Sequence, residues 1–143
     1  MKPINLLHLG IASDHAGYQL KEALKAYLEE KQVNVYDFGT YSEETCDYPD
    51  FAHPLANAIC GSANGISMTV NKHQGCRAAI CWKPELAALA RQHNNANVLS
   101  LPARFISVDE AKTILDTFFN SDFEGGRHQR RIDKIPVNNE QNI

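Results

Sequence analysis

The strongest constraint on this chain is the alternation of short apolar runs with amphipathic ones. Residues 6–12 are apolar and stop at a polar turn. Residues 18–30 place Leu20, Leu24, Tyr27 and Leu28 at helical spacing, with charges between them. Residues 33–38 read as a second strand, closed by Gly39-Thr40. Asp47-Tyr48-Pro49 reads as a turn, and residues 51–59 read as mostly helix. Residues 76–82 read as a third strand. Residues 84–92 read as a helix with Pro84 in the first turn, where the missing N–H costs nothing. Residues 98–101 form a short strand. Residues 108–119 form a helix with Ile114, Leu115, Phe118 and Phe119 on its apolar side. Strands that alternate with helices imply a parallel sheet covered on both faces. Ligands on such sheets bind beyond the carboxyl ends of strands. The expectation is an α/β fold in a single domain over residues 1–143, with polar residues 137–143 frayed.

Size and charge narrow the function. A chain of 143 residues with 43% hydrophobic content supports one core. Its net charge of −3 gives no broad basic field, so neither nucleic acid nor a membrane surface is an expected partner. No apolar run approaches the ~20 residues of a membrane span. The N-terminal apolar stretch is too short for a signal peptide, so the expected location is cytoplasmic. A chain of this size does not need its four cysteines as disulfides. Cys76 and Cys81, in or beside an apolar run, are expected to be core thiols. A zinc or thiol centre built from Cys60, Cys76, Cys81 and His73 fits no metal-ligand spacing.

Four polar clusters remain that a plain core does not explain. Small residues Gly61, Ser62, Ala63, Asn64 and Gly65 precede a helix-like run, so several N–H groups can point at one spot and form an anion site; an ordinary Gly-rich turn is the alternative. Cys60 stands at the mouth of this loop. A helix N-terminus stabilises thiolate, which makes Cys60 a candidate base, against the alternative of a buried structural cysteine. Asp14-His15 follows the first strand; capping of the next helix explains Asp14 but not His15. His93-Asn94-Asn95 suits either a site or a helix C-cap. Arg127 and Arg131 are four apart and share a face on a helix, which suits a phosphate dianion or a solvated basic patch. The first, second and fourth clusters (that of residues 124–131) are expected to reach the carboxyl ends of the strands. Together they hold an anionic small molecule and move a proton on it.

Several motifs, in order from about residue 10 to residue 135, resemble the ribose-5-phosphate isomerase B family, which includes galactose-6-phosphate and allose-6-phosphate isomerases. They are Ser13-Asp14-His15-Ala16-Gly17, Asp37-Phe38-Gly39-Thr40, Asp47-Tyr48-Pro49-Asp50, Cys60-Gly61-Ser62, Asn64-Gly65-Ile66-Ser67, His93-Asn94-Asn95 and Phe123-Glu124-Gly125-Gly126-Arg127-His128. The resemblance implies a Rossmann-like three-layer α/β/α sandwich and a homodimer, with a further tetrameric assembly open. It also implies aldose–ketose isomerisation of a phosphorylated sugar, ribose 5-phosphate foremost, without metal or other cofactor. Cys60 matches the base that moves a proton between C1 and C2, and residues 61–65 match the loop that stabilises the enediolate. His93 matches the acid that opens the furanose ring, helped by Asp14. Tyr48 and Asn94 match sugar-binding residues. His15, Arg104, Arg127 and Arg131 match the phosphate and substrate clamp. The resemblance puts His93 and Arg104 on the partner's side of each site and packs the tail, residues 122–143, on the partner.

Two departures stand out. Ala63 occupies a place where the family commonly has glycine, which restricts the backbone. The stretch before Cys60 is also short by roughly ten residues, the length of a turn and a strand. Three explanations are open. Residues 55–59 are strand rather than helix; the protein is a degenerate member that binds sugar phosphate without turnover; or the natural chain holds residues beyond this sequence. Because the other motifs are intact, the third is the favoured expectation.

Overall fold

The computed structural model describes residues 8–52 and 58–137, with residues 8, 52 and 58–60 described by backbone alone. Among the described residues, five strands, β1 (His8–Ser13), β2 (Asn34–Asp37), β3 (Ala58–Cys60), β4 (Ala78–Ile80) and β5 (Val98–Pro102), form one sheet in the order β2-β1-β3-β5-β4. Every pairing is parallel. The helices are α1 (Tyr18–Glu30), α2 (Tyr48–Ala52), α3 (Asn64–Val70), α4 (Pro84–Asn94), α5 (Val108–Asn120) and α6 (Arg127–Ile132).

Strand alternation sends Leu9, Ile11, Leu99 and Leu101 to one face, where Leu20, Leu24 and Leu28 of α1, Ala87 and Ala90 of α4, and Ile114, Leu115 and Phe118 of α5 bury them. Ala12 and Val98 face the other way, onto Ile66 and Val70 of α3, with Phe51 of α2 and the half-buried Cys76 beside them. The layers are α/β/α, as expected. Cys81 is buried, and burial pushes its thiol up to about 11, as suits a core thiol.

A buried ion pair fixes the end of β1. Lys21 is fully buried, with Nζ 2.7 and 2.6 Å from the two Asp37 oxygens. Lys25 and the Gly39 N–H also donate to this carboxylate. Burial opposes the charge on Asp37, but these donors outweigh it and hold the carboxyl below its ordinary pKa. The pinned turn then brackets Ser13: the Ser13 N–H donates to Gly39 O at 2.7 Å and the Thr40 N–H to Ser13 O at 2.8 Å. That sets where Asp14 leaves the sheet.

The segment before Cys60 departs from the sequence reading. The expected turn at Tyr48-Pro49 is the first turn of α2. The expected helix over residues 51–59 ends at Ala52, and Ala58–Cys60 is strand; residues 55–57 lie outside the described residues. β3 pairs Ala58 and Ile59 with Ala12 and Ser13 of β1, and all three of its residues with Ser100, Leu101 and Pro102 of β5. Residues already in the sequence therefore deliver Cys60 to the carboxyl edge, and added residues are not needed for that purpose. Among the described residues β3 spans three, β1 six and β5 five. A small apolar cavity of about 20 Å³ opens between Leu9, Gly10 and Ile11 of β1 and Leu99 and Leu101 of β5, beneath Leu24, Leu28 and Leu115. At about 24 cal/mol per Å³ such a void costs only ~0.5 kcal/mol, too little to open the sheet between β1 and β5.

A candidate active site in two halves

The first half stands at the carboxyl edge, where the loops after β1, β3 and β5 converge. The backbone of Cys60 ends β3 beside Pro102. A Cβ on Gly61 would come within 3.1 Å of Ala16 Cβ and 3.2 Å of Arg104 Nε, and the Arg104 N–H donates to Gly61 O at 3.1 Å. Asp14 is buried and accepts the Gly17 N–H at 2.9 Å, so it caps the turn over His15–Gly17 as its residue type predicts. His15 presents a buried Nδ1 with no hydrogen-bond partner among the described residues. The Tyr48 ring lies against Gly65, where a Cβ would sit 2.6–3.0 Å from three ring atoms, so any side chain there would displace the ring. Ser62 and Asn64 are exposed in the loop. Ala63 caps α3 in the left-handed region at φ +64°, and no side chain caps the helix there. The first-turn N–H groups of α3 are therefore not bridged by a capping side chain.

The second half stands at the opposite edge. His93 lies in the last turn of α4, and Asn95 ends that helix at φ +44°. The His93 ring stacks on His128 of α6, with centroids 4.3 Å apart and planes 6° from parallel. Glu124 Oε2 lies 3.8 Å from His93 Nε2 and 3.6 Å from His128 Nε2. Arg127 Nε donates to His128 Nε2 at 3.3 Å. Burial, then the neighbouring His93, Arg127 and Arg131 charges, hold His128 below its ordinary pKa against the pull of Glu124. His93, Asn94, His128 and Arg131 line one cavity of about 330 Å³, closed by Ile132 and Ile135.

Topology separates the two halves. Helices between parallel strands run back against them, so the end of α4 lies at the amino edge, near the start of β5. Cys60 lies level with the end of β5, four residues on from Val98, or roughly 13 Å away along the strand. The cluster of residues 124–131 stacks on His93 and sits at the amino edge, not at the carboxyl ends where the sequence reading put it. Arg104 is also corrected: it rests on Gly61 of its own chain and belongs to the Cys60 half, rather than beside His93.

His93, Glu124 and His128 bring three ligand-type atoms within 4.8 Å of one another. Their arrangement does not fit a metal ion. A ligand nitrogen's lone pair lies in its ring plane, and an ion cannot sit in two stacked, parallel planes at once. Arg127 also occupies the His128 lone pair. Sequence reasoning gave no role to Glu124 or His128, although their i, i+4 spacing beside Arg127 was a readable signal.

A sequence profile of the family described as Ribose/Galactose Isomerase matches residues 9–135. The chain is 47% identical to the probable ribose-5-phosphate isomerase B of Mycoplasma genitalium, over 87% of this chain and 91% of that protein. The 138 aligned positions take in about 124 residues of this chain, so about 14 of the relative's residues have no counterpart here, in line with the shortfall read from the sequence. Among solved structures, the ribose 5-phosphate isomerase of Thermotoga maritima superimposes with a TM-score of 0.89 at 47% identity, covering 91% of this chain and 97% of that one. The Mycoplasma genitalium enzyme with bound ribulose-5-phosphate superimposes with a TM-score of 0.86 at 46% identity, covering 90% and 93%.

Proposed function

The chain belongs to the ribose/galactose isomerase family, and from that premise we propose that it interconverts ribose 5-phosphate and ribulose 5-phosphate in a cytoplasmic homodimer. The relative crystallised with ribulose-5-phosphate supports the choice of sugar over galactose 6-phosphate or allose 6-phosphate. In the aldose-to-ketose direction His93 protonates the ring oxygen while Asp14 supports ring opening. Cys60 takes the C2 proton, the loop N–H groups of residues 61–65 face the enediolate oxygens, and the proton returns at C1. His15, Arg104, Arg127 and Arg131 hold the phosphate, and Tyr48 and Asn94 hold the sugar. Arg127 and Arg131 come from the half without Cys60, so their binding energy positions the reacting carbons.

The observation that carries this reading is the division of the site. The Cys60 half and the His93 half sit on opposite edges of one sheet, and a two-fold dimer brings the carboxyl edge of one copy to the amino edge of the other. Ile135 and Val137, 54% and 72% exposed in the tail, gain cover in such a dimer. The test is to mix two inactive variants, Cys60→Ala and His93→Asn, after partial unfolding and reassociation. Half of the dimers are then mixed, and each mixed dimer holds one site with both residues intact, so about a quarter of wild-type activity returns. No recovery, in a mixture shown to exchange subunits, refutes the shared site. A wild-type chain that binds ribose 5-phosphate and never turns it over establishes the degenerate reading.

A further inference from the structure

We propose that Glu124 and His128 are positioning residues that keep the mobile proton of their cluster on His93, so that His93 enters the reaction as a donor. The inference deepens the functional reading and rests on His93 being the ring-opening acid. The cluster holds two imidazoles and one carboxylate. Rings stacked at 4.3 Å do not share two positive charges cheaply, so the pair takes up at most one proton beyond neutrality and the surroundings choose its place. From α6, Arg127 donates into His128 Nε2, which puts the ring proton of His128 on Nδ1 and leaves that ring neutral. Arg131 adds further positive charge on the same helix and in the same cavity. The His128 side chain is 7% exposed, so water does little to support a charge there.

His93 differs in its exposure and its place at a helix end. Its side chain is 37% exposed. It lies in the last turn of α4, where the unpaired carbonyls favour a cation. Glu124 Oε2 faces both rings, 3.8 Å from His93 Nε2 and 3.6 Å from His128 Nε2, and its loop is tied to α4 by the Glu124 N–H on Gln92 O at 3.0 Å. His128 acts as the flat wall that sets the His93 ring plane, and Glu124 as its counter-charge.

The experiment uses the intact enzyme and records kcat/KM for ribose 5-phosphate across pH 5.5–9.5, beside a circular dichroism check of folding. Glu124→Gln should lower the rate at neutral pH roughly tenfold and move the alkaline fall-off to lower pH, because the imidazolium loses its carboxylate. Glu124→Asp should restore most of the alkaline edge. His128→Phe, which keeps a flat ring against His93, should retain more activity than His128→Ala. His93→Asn serves as the control. If His93→Asn turns over normally, the reading of His93 as the acid fails. If His93→Asn is crippled but Glu124→Gln loses rate equally at every pH, or loses none, the positioning role alone is overturned.

Discussion

At the carboxyl edge, backbone conformation and close glycine contacts shape the loop that leads from Cys60 into α3, whereas the half-site at the amino edge is made of charged side chains. In the first, Gly61 lies against Ala16 and Arg104, Gly65 lies under the Tyr48 ring, and Ala63 takes a left-handed conformation. In the second, two histidines, a glutamate and two arginines converge from a helix end, a loop and a one-and-a-half-turn helix. Under the proposed function the contrast follows from two tasks. Charge that develops on an enediolate needs donors that do not reorganise, a need that backbone N–H groups held by packing would meet. A phosphate dianion keeps its charge throughout, a task suited to flexible guanidiniums, Arg127 and Arg131 from the second half with Arg104 from the first.

The largest expected effect tests the chemistry of the first half. Cys60→Ala should lower isomerisation by on the order of 10²–10⁴, the usual contribution of a positioned base. Binding of a non-isomerisable sugar phosphate should stay near wild type, because the clamp is untouched. A coupled assay for ribulose 5-phosphate and a calorimetric titration measure the two. Turnover near wild type would move the base elsewhere.

The second half should respond in the opposite way. Arg131→Ala removes one charge-assisted contact, worth roughly 1.5–3 kcal/mol, so KM should rise about 10- to 150-fold with a smaller change in kcat. Inorganic phosphate should compete with substrate in the wild type and less well in the variant. An unchanged KM would leave the residue as part of a solvated face and remove the division of labour between the halves.

The two halves also differed in how far the sequence disclosed them. The helices over residues 18–30 and 108–119 were readable to within a residue, because each carries a full apolar face that only a 3.6-residue period explains. Each of the four polar clusters contributes to one half or the other. What the sequence could not convey was their arrangement in space. Residues 124–131 carry charges that suit a phosphate wherever they lie, and only the seating of α6 against α4 puts them at the amino edge. Likewise, residues 51–59 hold too few residues to show either period, and the pairing of Ala58–Cys60 with two neighbours overrode the local helix reading. Gly65 illustrates the limit in another way: the ring packed on its backbone comes from seventeen positions earlier in the chain.

The smallest expected effect concerns Ala63, where the backbone-built half departs from what its geometry prefers. A left-handed alanine costs about 1–2 kcal/mol that glycine does not incur, so Ala63→Gly relieves strain at φ +64°. Two losses oppose the gain. The Ala63 methyl is fully buried, and removing one such group forfeits about 0.8 kcal/mol. Glycine also widens the unfolded ensemble, by about 0.4–1 kcal/mol. The terms nearly cancel, so the variant should match wild-type stability to within about 1 kcal/mol, a Tm change of only a few degrees for a chain of this size. A urea titration with an unchanged m-value measures it. A loss above roughly 2 kcal/mol would show that the methyl's packing, rather than the loop's backbone angle, decides which residue this corner of the site accepts.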